Sequence, residues 1–156
     1  MQSSSWRIRV VWAYRLLVTL AGGVFGVVVS PFTHHWLVWT VGLPDDAPFW
    51  ILLGLGCAAG LLVAALTYSQ SWFHWACVVV GPAATAICIW RSLANFDKSE
   101  SLKGTGPLAG LGEVIYGLLG MILAAGFVLL AVAGGLRLFA TRRKAVARDA
   151  ELVPPN

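Results

Sequence analysis

The chain has 156 residues, 58% of them hydrophobic and 12% charged, with a mean hydropathy of +0.78. A soluble domain carries about twice that share of charge, so water is excluded as the main solvent. The formal net charge of +4 does not point to nucleic acid, because eight of the eleven Lys and Arg lie in the first fifteen residues or after Leu136; basic residues gathered at the ends of apolar runs are the positive-inside signature of a membrane protein.

Residues 1–9, MQSSSWRIR, are polar and basic and are expected at cytoplasmic headgroups. An apolar run from 10 to 30 follows. Arg7 and Arg9 before it imitate a signal peptide, but Ser30 is followed at once by Pro31 and no acceptable cleavage site is present, so the run reads as a retained first span. Arg15 lies near enough to its inner end for the long stem to carry the guanidinium to the interface. Gly22 and Gly26 form a small-xxx-small pair, which lets another helix approach closely.

Pro31 is expected to stop or kink that helix. Residues 31–48, PFTHHWLVWTVGLPDDAP, then become an external connection rich in apolar side chains, with Trp36 and Trp39 seeking the outer interface or a neighbouring protein. The second span covers 49–68, with Gly56 and Gly60 again spaced for close contact. The third, 72–90, holds Gly81 and Pro82 near its middle, where a bend is expected. Residues 91–106 are the strongly hydrophilic stretch and read as an outer loop. The fourth span covers 107–139; at ~1.5 Å per residue it is longer than the bilayer and must tilt or project. Within 104–136 there is one charged side chain, Glu113, and Gly117 lies one turn beyond it. Residues 140–156, ATRRKAVARDAELVPPN, have no apolar period and read as a basic, mostly disordered cytoplasmic tail.

The fold class is therefore all-α: a four-transmembrane-helix bundle in the plasma membrane, with both termini in the cytoplasm. Tryptophan provides an independent check, since this arrangement puts Trp6, Trp12, Trp72 and Trp75 at the inner boundary and Trp36, Trp39, Trp50 and Trp90 at the outer one, where amphipathic rings prefer to lie. Cys57, Cys77 and Cys88 fall inside apolar runs and read as packing residues.

Glu113 is the sharpest candidate for chemistry, because a carboxyl inside a span is costly unless paired, neutral or wet. Arg91, at the outer end of the third span, is its expected partner. The alternative is a proton or cation site. His34, His35, Asp45 and Asp46 share the outer connection, yet their spacing matches no zinc pattern and they read as interfacial polar groups. No ligand pair for haem lies at one depth, no nucleophile has a base at its own depth, and no phosphate loop follows a strand. No cofactor is expected, nor is the chain read as an enzyme.

Two roles follow. The first is a non-catalytic accessory subunit of a larger membrane complex, touching partner membrane proteins through its glycine faces and Trp36 and Trp39. The second is a small homo-oligomeric channel or proton-coupled carrier built around Glu113.

Overall fold

The computed structural model describes residues 3–102 and 110–152, which form four helices and no strand. The expected start of the fourth span at Pro107 and the last residues of the tail lie outside the described residues. Helix α1 runs Ser3–Val41, α2 Ala47–Thr67, α3 Ser71–Ser101 and α4 Leu111–Leu152. All four contain a stretch long and apolar enough to cross a membrane. In hydrocarbon every backbone donor and acceptor needs a partner within the segment, which leaves the helix as the form such apolar runs adopt.

Three of the helices are longer than the sequence suggests. Pro31 does not end α1, which continues to Val41. Proline removes the N–H that would have met the Val27 carbonyl; the Ser30 hydroxyl donates to that carbonyl instead, at 2.9 Å, so the helix passes with no polar group abandoned. It stops eleven residues later, where Gly42 takes φ +74° and returns its N–H to Val38 O at 3.1 Å, a left-handed cap that suits glycine.

The hydrophilic stretch after Trp90 is likewise not a loop but the last three turns of α3. Its serines return their hydroxyls to the helix, Ser92 to Cys88 O at 2.8 Å and Ser99 to Phe96 O at 2.7 Å. Arg91, Asp97, Lys98 and Glu100 face outward while Ser92 and Ser99 are buried. The polarity therefore belongs to the solvated face of a helix. Beyond Phe139, α4 continues through residues 140–152, where Ala, Arg, Lys, Glu and Leu are all good helix formers.

The helices pack antiparallel in the order α2, α1, α4, α3: α1 against α2, α3 against α4, and the two hairpins joined through α1 and α4. No comparable packing joins α2 to α3 or to α4. Val10, Tyr14, Val18 and Ala21 form the buried stripe of α1, at the three- and four-residue spacing of a packed helix face. Gly126, Ala133 and Ala140 recur every seven residues as buried positions of α4, the spacing of a left-handed helix pair. Most large apolar side chains remain exposed, and all seven Trp side chains that are described are among them, as suits a surface whose solvent is lipid.

Trp6 and Arg143 meet at one end of the bundle, the guanidinium 5.7 Å from a ring centroid. The beginning of α1 and the late part of α4 therefore share that end, called the terminal end below.

Candidate functional site

The expected partner of Glu113 is replaced by another. Its carboxylate pairs with Lys98 Nζ at 3.1 Å, whereas Arg91 lies beside the ring of Trp90, 6.0 Å from its centroid. The correction follows from the extra turns of α3, which carry Lys98 about 10 Å beyond Arg91. Gly110, at φ +84°, closes the hairpin here: a Cβ on it would lie 2.8 Å from Ser99 O. Glu113 also sits in the first turn of α4, where unpaired N–H groups favour a carboxylate.

The depth of this pair follows from the register between helices. Phe25 and Phe127 stack edge to face at 5.4 Å, a Cβ on Gly81 would lie 3.1 Å from Phe127 O, and one on Gly26 would meet Leu52 O. These residues share a layer. From it Lys98 is seventeen residues along α3, about 25 Å, while the start of α2 at Ala47 is five residues along, about 8 Å. Since α2, with 21 residues, matches the ~30 Å of hydrocarbon, the ion pair stands well beyond the slab that α2 defines. Lys98 is largely exposed, and an exposed pair of this kind contributes little to stability.

The glycine pairs occupy the contact between α1 and α2. A Cβ on Gly22 would meet Gly56 O and one on Gly56 would meet Gly22 O, while one on Gly60 would lie 2.6 Å from Val18 O. Gly117 lies under the ring of Phe96, 2.6 Å from where a Cβ would be placed. Gly54 and Gly112 face open space. On the overhang of α1, Trp39 is 76% exposed; the side chain of Trp36 is outside the described residues. Cys57, Cys77 and Cys88 are unbridged.

At the terminal end the structure assembles a polar cluster that inspection of single residues does not reveal, with at least one member from each helix. The Tyr14 hydroxyl of α1 hydrogen-bonds Thr67 Oγ1 of α2 at 2.9 Å. The Tyr68 carbonyl, at the end of α2, accepts from His74 Nε2 of α3 at 3.1 Å and from Arg137 Nε of α4 at 3.0 Å. A carbonyl can only accept, so Nε2 carries the proton. His74 Nδ1 is buried with no hydrogen-bond partner among the described residues. Tyr14 packs edge-on against both Tyr68 and His74, at 5.5 and 5.3 Å, and the Arg137 guanidinium lies over the Tyr68 ring at 4.1 Å. The last carbonyls of a helix lack internal partners and attract cations; here α3 and α4 supply what α2 cannot. The sequence does carry a signal for the cluster: Tyr14, Tyr68, His74 and Arg137 all fall at the same end of their respective spans.

Among the described residues no group of three or more His, Cys, Asp or Glu side chains could hold a metal. The chain matches no family model, no curated protein and no solved structure.

Proposed function

We propose that the chain is a non-catalytic accessory subunit that stabilises a larger membrane assembly, embedded in the plasma membrane with both termini in the cytoplasm. One observation carries this reading: α1, α3 and α4 overrun the short helix α2 and display large apolar side chains on the overrun. Phe32 and Trp39 on α1, and Leu111, Ile115 and Tyr116 on α4, are all exposed. Contiguous apolar surface outside hydrocarbon favours a protein cover. From Leu16 to the end of α1, throughout α2, from Trp75 to Trp90 of α3 and from Val114 to Leu136 of α4 there is no charged side chain, which supports a subunit over a channel through a single chain. The arginines at 9, 15, 137, 142 and 143 support a cytoplasmic terminal end.

The reading is tested by placing a photoreactive amino acid at Trp39 and at Tyr116, irradiating intact cells and purifying the chain in mild detergent. One and the same membrane protein should be captured from both positions and co-purify in fixed ratio. Recovery of an uncross-linked chain that runs alone overturns the proposal.

A further inference from the structure

A groove of about 550 Å³ runs along the bundle between α2 and the neighbouring hairpin. Val18 and Val29 of α1 and Leu52 and Val63 of α2 mark its extent, and Phe73 of α3 and Leu130 of α4 line it toward the terminal end. Not one lining residue is charged or polar. The twelve residues from Val18 to Val29, like those from Leu52 to Val63, give it a length of about 16 Å. One leaflet of a bilayer core is about 15 Å thick. The groove therefore has the length of a single acyl chain.

A second observation points to the kind of lipid. Arg137 follows Leu130 by seven residues, so it lies on the same face of α4, two turns and about 10 Å nearer the terminal end. Its Nε is committed to Tyr68 O and its Nη1 reaches Thr141 Oγ1 at 3.4 Å, leaving Nη2 with no hydrogen-bond acceptor among the described residues. No described carboxylate pairs with it. Tyr68 holds the guanidinium plane from one side. A cation fixed at headgroup depth, short of a counter-charge, suits a phosphate, which guanidinium binds through paired N–H donors.

We propose that this groove and Arg137 form one binding site for an anionic phospholipid, with an acyl chain along α1 and α2 and the phosphate on the Arg137 guanidinium. The site is independent of any partner protein. The charge that selects the lipid lies on α4 and most of the trough that holds its chain on α1 and α2, so they can be removed separately.

The test uses the full chain, purified in mild detergent, stripped of lipid and titrated with palmitoyl-oleoyl phosphatidylglycerol or the matching phosphatidylcholine, with binding read by native mass spectrometry. Wild type should bind one phosphatidylglycerol about tenfold more tightly than phosphatidylcholine, the scale of one charge-assisted contact. Arg137→Gln should remove that preference. Ala59→Phe places a ring in the groove from an exposed position of α2 and should abolish stoichiometric binding of both lipids while leaving Arg137 in place. Equal affinity for the two lipids in wild type, or unchanged binding in Ala59→Phe, overturns the proposal. So does glycerol phosphate competing as well as the whole lipid, since the groove would then contribute nothing.

Discussion

The guanidinium of Arg137 lies 4.1 Å from the centroid of the Tyr68 ring while its Nε donates to the carbonyl of the same residue at 3.0 Å. One side chain of α4 is thus held twice by the residue that ends α2, although α2 and α4 share little packing elsewhere. The pair acts as a cross-tie between the two hairpins. Replacing Tyr68 by Leu keeps the carbonyl and removes the ring, and should cost about 1 to 2 kcal/mol in reversible detergent unfolding, the range for a partly desolvated cation–π contact. An unchanged unfolding midpoint would mean that the ring contact adds nothing beyond the backbone hydrogen bond.

Tyr14 and Thr67 make the other tie at this end, between α1 and α2 at 2.9 Å. Tyr14→Phe and Thr67→Val, combined in a double-mutant cycle, should show a coupling of roughly 0.6 to 1.5 kcal/mol, as hydrogen bonds between membrane helices do. Strictly additive losses would show that the two hydroxyls are satisfied separately.

Glycine separates contact from mere abundance. Gly56→Val drives a side chain into the backbone of Gly22 and should destabilise by about 1 to 3 kcal/mol, the cost of overpacking a close contact. Gly54→Val, two residues away and facing open space, should leave thermal stability in detergent unchanged or slightly raised. Equal losses at both positions would contradict the α1–α2 register.

These comparisons show what the sequence alone could convey. Membrane helices were legible because an apolar run leaves the backbone no other way to satisfy its hydrogen bonds, and the spacing of Gly22, Gly26, Gly56 and Gly60 already marked faces suited to close approach. Helix ends were not. Pro31 looks like a stop until Ser30 is seen to satisfy Val27 O, and the charges at 97, 98 and 100 look like a loop until Ser92 and Ser99 are seen buried on the opposite face. An error of three turns at the end of α3 was enough to select Arg91 as the partner of Glu113 in place of Lys98. The terminal-end cluster stayed hidden for a different reason: its members are far apart in sequence, and each of Tyr14, Tyr68 and His74 reads alone as an ordinary interfacial residue.

Glu113 pairs with a largely exposed lysine beyond the slab defined by α2, so neutralising it should have small consequences. Glu113→Gln and Lys98→Gln are each expected to leave the melting temperature in detergent and the level of membrane insertion at wild-type values, in keeping with the low worth of exposed ion pairs. Reconstituted into proteoliposomes, the Gln variant should also leave proton and cation flux where the wild type has it. A wild-type flux that Glu113→Gln abolishes would restore the channel reading and place the carboxylate on a pathway.

The contact between Trp6 and Arg143 puts the first turns of α1 and the late turns of α4 together, and the arginines of that end argue for the cytoplasm. Asp46, in the turn before α2, is at the other end of the bundle. A chain with its native cysteines changed to alanine and one cysteine introduced at Asp46 should react with an impermeant maleimide added to intact cells. The same label should reach a cysteine at Arg142 only after the membrane is opened. Labelling of Arg142→Cys from outside would invert the bundle: the headgroup proposed for Arg137 would then come from the outer leaflet, and the apolar overrun of α1 and α4 would face the cytoplasm.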